Sequence, residues 1–113
     1  MARMFNPPHP GEIVKESLDY LGMSAREFAR HLAVSPTSVT RILNKQGPIT
    51  PEMAVRIAAV MPGPRASTWL SIQAEWDLWQ IEKNIDLSQL TPIKIPVSQK
   101  RYTSSLLFQI NDL

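Results

Sequence analysis

Apolar side chains recur at three- and four-residue spacing through the first half of the chain, the period of α-helices that bury one face. Four successive segments between residues 11 and 61 show this pattern. The pattern therefore predicts an all-α fold. The positions expected to face its core are Ile13, Val14, Leu18, Leu21, Phe28, Ala29, Leu32, Val39, Ile42, Leu43, Met53, Ala54, Ile57, Ala58 and Met61.

Residues that begin and end helices stand between these apolar segments. Ser24 and Glu27 form a capping box, in which the serine accepts from a first-turn amide and the glutamate reaches back to the serine N–H. Ser35 and Thr50 each precede a proline, a pairing typical of a helix start. Gly22 is suited to end the first helix. These signals separate four helices.

A fifth helix is expected from Ala66 to Ile85, and it carries two apolar stripes. A helix packed on one small domain normally needs a single stripe. We therefore expect one stripe to meet the core and the other to form a dimer interface. Cover of both stripes by the C-terminal segment is the open alternative. The core stripe is Trp69, Ile72, Trp76 and Trp79, and the predicted dimer stripe is Leu70, Ala74, Leu78, Ile81 and Ile85.

The chain of 113 residues is long enough for one domain with a short segment on either side. Prolines within residues 1–10 favour an extended N-terminal arm. Residues 11–86 are expected to form the helical domain, with residues 66–85 as the dimerisation helix. Residues 87–113 are expected to form a short irregular extension. Its apolar end could dock on the domain, exchange with a partner or be poorly ordered, and the sequence leaves these open.

The second and third predicted helices have the residue types of a helix-turn-helix, in which two helices cross steeply and the second enters the DNA major groove. The crossing needs a small residue, which Ala29 supplies. The turn needs a small or glycine-like residue followed by an apolar one, here Ala33 and Val34. Val39 and Ile42 would anchor the second helix. A hairpin from an unrelated helical bundle is the competing interpretation.

Positive charge is concentrated on the same segment. The whole chain has a net charge of only +2, but residues 23–48 contain four basic residues and one acidic residue. Such a cluster suits phosphate contacts, although a solvated helix face would look similar. Arg41 could read guanine, and Asn44 could read adenine or contact a phosphate. The predicted DNA-binding residues are Arg26, Arg30, Ser35, Pro36, Thr37, Ser38, Thr40, Arg41, Asn44 and Lys45.

Other chemistries find little support in the sequence. There is no cysteine, and His9 and His31 have no metal-ligand spacing. Each histidine is expected to lie at the surface or to be half-buried. No nucleophile motif, phosphate loop or paired carboxylate suggests an enzyme, a catalytic residue, a cofactor or a metal site. No stretch is long and apolar enough for a membrane span or a leader peptide, so we expect a cytoplasmic protein associated with the nucleoid.

Several segments together closely resemble the HigA family of antitoxins. The helix-turn-helix is common to many phage-repressor-like proteins, whereas the first and last of the matching segments are more specific. The resemblance covers about residues 6–83. Its main segments are residues 9–13 (HPGEI), 41–44 (RILN), 49–54 (ITPEMA) and 69–79 (WLSIQAEWDLW).

This resemblance implies a five-helix, phage-repressor-like domain that dimerises and binds double-stranded DNA at a palindromic operator. It also implies a HigB-type toxin partner, a ribonuclease that cleaves mRNA. By position, DNA contact falls on the helix after Ser35, and the dimer surface falls on the last helix. A stand-alone repressor without a toxin, and an interaction module that has lost DNA binding, are the alternatives.

Overall fold

The computed structural model of the protein describes residues 6–96. Within that range the secondary structure is five α-helices and no strand, so the predicted all-α, five-helix fold is confirmed. Residues 85–96 contain one turn and no regular element. The first part of the predicted arm and residues 97–113 of the predicted extension lie outside the described residues. The helices are α1 (Pro10–Leu21), α2 (Ala25–Leu32), α3 (Pro36–Leu43), α4 (Pro51–Val60) and α5 (Ala66–Asn84).

The first four helices begin at side chains that cap them. Ser24, Ser35 and Thr50 accept hydrogen bonds from first-turn amides, as expected from their position. The first helix begins one residue earlier than predicted, because Pro10 takes the first helical position and His9 is the cap. The predicted extended arm therefore ends in a helix start.

Three helix ends share one geometry, in which a residue with positive φ closes the last turn. These residues are Gly22, Ala33 and Lys45, with φ of 66°, 58° and 61°. The next amide in each case donates to a carbonyl five positions back, which satisfies a carbonyl that the helix leaves open. The donor-to-acceptor distances are 2.9 Å from Met23 to Leu18, 3.0 Å from Val34 to Ala29 and 2.8 Å from Gln46 to Arg41.

The core lies between α1, α2, α3, α4 and the first turns of α5, and it contains most of the residues predicted for it. Leu21 is an exception, with 53% of its surface exposed. It is the last residue of α1 and lines an open groove with Tyr20, Met61 and Pro62, so solvent reaches it. The buried apolar residues are Val14, Leu18, Phe28, Ala29, Leu32, Val39, Ile42, Ile49, Ala54, Ile57, Met61 and Trp69.

The start of α1 meets the end of α3 through backbone atoms. Gly11 is buried there, and a Cβ atom on it would collide with the carbonyl oxygen of Ile42. Only glycine permits this approach. The crossing of α1 and α3 is therefore set by main-chain contact.

The two stripes of α5 differ in their surroundings, but their boundary is not the predicted one. Leu70, assigned to the outer stripe, packs against the core because the first turns of α5 lie on it. Farther along, Leu78, Ile81 and Ile85 are 45%, 58% and 51% exposed. The helix ends at Asn84, and Ile85 is its C-cap. No helix in residues 6–96 is long and apolar enough to cross a membrane.

Candidate nucleic-acid interface

The pair α2 and α3 has the packing that a helix-turn-helix requires. Ala29, at the predicted point of contact, is 1% exposed. Val39 and Ile42 anchor α3, being 2% and 6% exposed, and Val34 packs half-buried against the same core. The four side chains predicted to lie behind α3 therefore belong to one cluster.

The opposite side of α3 faces solvent. Pro36, Thr37, Thr40, Arg41 and Asn44 are all exposed. None of these side chains is apolar and bulky, so the surface can approach DNA base edges without steric conflict.

Several hydroxyl groups of this surface also support α3 itself. Ser35 Oγ accepts from the Ser38 amide at 3.3 Å and lies 2.9 Å from Ser38 Oγ. Thr40 Oγ1 donates to the Pro36 carbonyl at 3.0 Å. The capping role considered for Ser35 is thus present in the structure, and one hydroxyl proton of the Ser35–Ser38 pair is left to donate to a phosphate oxygen.

The cations of this segment fall into two groups. Arg26, Arg30 and Arg41 are exposed on α2 and α3. Lys45 Nζ instead forms an ion pair with Glu12 Oε1 at 3.1 Å, a partner on α1 that local sequence reasoning did not identify. The arginines are therefore the side chains best placed for phosphate contact.

Sequence reasoning also missed Arg56 on α4. Its Nη1 donates to the Leu32 carbonyl at 2.8 Å, and its Nε pairs with Glu52 at 3.3 Å. The guanidinium thereby satisfies a carbonyl at the end of α2. The one local signal was the i,i+4 spacing of Glu52 and Arg56.

His9 is the clearest departure from the predicted side-chain environments. It is 1% exposed rather than at the surface or half-buried, because its ring lies against Trp76 with centroids 4.8 Å apart and planes at 84°. The ring Nδ1 accepts from the Gly11 amide at 2.9 Å, and the backbone N–H of His9 donates to Glu12 Oε2 at 2.8 Å. The available signal was Pro10 followed by Glu12, the spacing of a capping box, with His9 at the position where serine is usual.

Burial is the main influence on the pKa of the His9 ring. It lowers the pKa of the His9 imidazole from its ordinary value of 6.5, and nearby Lys45 acts in the same direction. The charges of Asp77 and Glu12 and a backbone hydrogen bond with Gly47 oppose the shift without reversing it. The neutral ring is favoured, as its role as an acceptor requires.

A second buried polar residue, Gln73, was not identified from the sequence. It is 6% exposed on α5, and its Oε1 accepts from the Ile49 amide at 2.8 Å. Its Nε2 donates to Asp77 Oδ1 at 2.9 Å. The available signal was the position of the glutamine four residues after Trp69, on the side of α5 that was predicted to face the core.

Known proteins are similar to this chain in both sequence and fold. A helix-turn-helix family model matches residues 14–66. A transcriptional regulator of Escherichia coli, YddM, is 42% identical over 78% of this chain and 93% of its own length. The structure of an addiction-module antidote protein of the HigA family from Coxiella burnetii is 37% identical, with a TM-score of 0.66 over 79% of this chain and 100% of that one.

A further similar structure includes DNA. The Pseudomonas aeruginosa protein PA4674, solved with its operator DNA, is 30% identical, with a TM-score of 0.69 over 82% of this chain and 100% of that one. These similarities support the interpretation of α2 and α3 as a helix-turn-helix. The chain belongs to the HigA family of helix-turn-helix DNA-binding regulators.

Proposed function

We propose that this protein is a transcriptional repressor and antitoxin that binds a palindromic operator as a homodimer and neutralises a HigB-type, mRNA-cleaving toxin. The observation that carries the DNA-binding part is the exposed polar side of α3, held from behind by Ala29, Val39 and Ile42. The protein acts on the nucleoid and needs no cofactor. We assign it no catalytic residue.

In this proposal α3 lies in the major groove and reads base edges. Arg41 bonds to guanine through two guanidinium N–H groups, and Asn44 bonds to adenine or to a phosphate. Arg26, Arg30 and Lys45 add phosphate contacts, which position the protein without specifying sequence. Lys45 remains half-exposed in its ion pair, so a phosphate can replace or share Glu12. The remaining contacts come from Ser35, Pro36, Thr37, Ser38 and Thr40.

The proposed dimer forms through the outer side of α5. Leu78, Ile81 and Ile85 expose apolar surface along this helix, and burying it against a second copy is favourable. Ala74 and Leu70 extend the contact, Leu70 only through the part of its side chain that the core leaves uncovered. The two copies of α3 would then lie about 34 Å apart, one turn of DNA.

The toxin part of the proposal is supported by the family and by relatives described as antidote or antitoxin proteins. Co-expression with the product of the adjacent gene tests it. A stable complex that abolishes the toxicity of that product supports the antitoxin function. A harmless neighbour without complex formation supports a stand-alone repressor, a role consistent with the description of YddM as a transcriptional regulator.

The DNA-binding part is tested with Arg41→Ala. We expect specific affinity for the native upstream region to fall by about 1–3 kcal/mol for each half-site, or about 5- to 150-fold per protomer bound, the value of one good base contact. Fluorescence anisotropy measures it. Arg65→Ala, which removes an exposed arginine from the N-cap of α5, is the matched control and should bind as the wild type does.

Two results would contradict this role. Equal loss of affinity for upstream and unrelated DNA would exclude base reading by Arg41. Wild-type protein without detectable affinity for the upstream region would favour an interaction module that has lost DNA binding.

A further inference from the structure

We propose that Gln73 is a positioning residue for DNA recognition, through which α5 holds the segment that leaves α3. The inference rests on the proposed function, because it concerns how α3 is presented to DNA. Gln73 itself lies on α5 and is buried, so its effect on DNA must act through the residues that it holds.

The amide of Gln73 is oriented at both ends. Its Oε1 accepts from the Ile49 amide at 2.8 Å, and its Nε2 donates to Asp77 Oδ1 at 2.9 Å. A flipped amide would place an N–H group against the Ile49 N–H and an oxygen against the carboxylate. Asp77 therefore selects the orientation that presents the acceptor to Ile49.

Loss of this acceptor would leave the Ile49 N–H buried without a hydrogen bond. Ile49 is 2% exposed and lies between the end of α3 and the first turn of α4, outside any helical hydrogen-bond ladder. A buried amide without a partner is costly, because it has lost its bonds to water. Without Gln73 the segment must shift, or water must enter, to satisfy the donor.

The same segment is also attached to α1, but by different groups. Lys45 pairs with Glu12 at 3.1 Å, and Gly47 lines one groove with His9. Gln73 instead attaches it to α5, the helix that carries the exposed Leu78, Ile81 and Ile85. The orienting Asp77 is the immediate neighbour of Leu78. A shift of α5 would thus reach the end of α3 through one side chain.

Gln73→Met tests the inference, because methionine has a similar length and volume but no hydrogen bond for Ile49. We expect affinity for the upstream region to fall about tenfold, comparable to weakening one base contact. Affinity for unrelated DNA and the salt dependence should change much less, because the phosphate contacts proposed for Arg26 and Arg30 lie on α2, outside the displaced segment. Ile57→Val is the control for a general loss of stability, since it shortens a core side chain and keeps every hydrogen-bonding group.

A second measurement does not involve DNA. Amide hydrogen exchange at residues 44–47 and at Ile49 should accelerate in Gln73→Met and remain at the wild-type rate in Ile57→Val, with α2 as internal reference. Asp77→Asn keeps an acceptor for Gln73 Nε2 and should resemble the wild type in both assays. Asp77→Leu removes that acceptor and should show part of the Gln73→Met effect.

The outcomes separate the two proposals. Wild-type protein that does not bind the upstream region contradicts the proposed function, whatever the exchange rates are. Wild-type DNA affinity in Gln73→Met overturns the positioning role, as does unchanged amide exchange at residues 44–47 and Ile49. Equal losses of affinity in Gln73→Met and Ile57→Val would also overturn it, because stability alone would then explain the effect.

Discussion

At the scale of single residues, a histidine does the work that a serine or threonine usually does at a helix start. Nδ1 of His9 accepts from the Gly11 amide, and only an unprotonated nitrogen can do so. Protonation at Nδ1 would remove that bond. It would also place a charge in a buried site beside Trp76 and near Lys45. Stability should therefore depend on pH through this one ring.

The sign of that dependence follows from the lowered pKa of His9. Above about pH 6.5 the ring is neutral in both folded and unfolded chains, and the cap is fully present. Below that pH the unfolded chain takes up a proton that the folded chain resists, so stability is lost as pH falls through the folded pKa. We expect wild-type Tm to fall from pH 7.5 to 5.5 by more than that of His9→Asn, whose side chain caps without titrating.

This comparison isolates His9, because His31 and the carboxylates are common to both proteins. Glu12 contributes mainly at lower pH, since the His9 amide and Lys45 lower the pKa of its carboxyl group. Equal falls in Tm for the two proteins would show that the ring does not control stability in this range.

Interactions between residues close in sequence could be predicted, whereas contacts between distant parts of the chain could not. Ser24, Ser35 and Thr50 could be identified as caps, because each acts on amides within three residues. The bond from Ile49 to Gln73 joins residues 24 apart, and its existence depends on how α4 brings α5 back to the domain. The pairing of Lys45 with Glu12 is non-local in the same way.

At the scale of elements, α5 changes character along its length. Its first turns are packed on the core through Trp69 and Leu70, whereas Leu78 and Ile81 are exposed. Helical periodicity revealed both stripes, but only tertiary packing decides where the core stops covering the outer one. Leu70 therefore packs partly on the core, and its place in the dimer stripe stays a prediction.

The exposed part of α5 gives a direct prediction. Leu78→Glu should convert a wild-type dimer into a folded monomer, because a charge there is costly in a buried interface and harmless in solvent. Sedimentation at micromolar concentration measures the state, and circular dichroism checks that the helices remain. Tyr20→Glu, at a position that is 90% exposed on α1, is the matched control and should leave the dimer intact. A wild-type monomer at that concentration would refute the proposed interface.

At the scale of the whole molecule, charge distribution matters more than net charge. The chain has a net charge of +2, which gives little long-range attraction to DNA. Arg26, Arg30 and Arg41 place exposed positive charge on the helix pair proposed to bind. The opposite balance holds on α1, which carries Glu12, Glu16 and Asp19 against Lys15 alone. Positive charge is therefore concentrated on the helices proposed to contact DNA, and negative charge on α1.

This distribution predicts the response to salt. Arg30→Ala should weaken binding to upstream and unrelated DNA alike and make the plot of log K against log salt shallower by about two units per dimer, one for each lost phosphate contact. Lys15→Ala removes an equal charge from α1 and should keep the wild-type slope. A slope unchanged by Arg30→Ala would mean that this arginine remains in solvent when DNA is bound.

The contact of Gly11 with Ile42 bears on how a protein of this kind could acquire a new target sequence. Adjustments between helices commonly proceed by exchanging one side chain for another of slightly different size. Where backbone atoms are in direct contact, there is no side chain whose size could be changed. The angle between α1 and α3 therefore cannot be adjusted in small steps at this contact. The direct route to a new target sequence is then substitution on the solvent side of α3, at positions such as Thr37 and Arg41, with the contact of Gly11 and Ile42 kept.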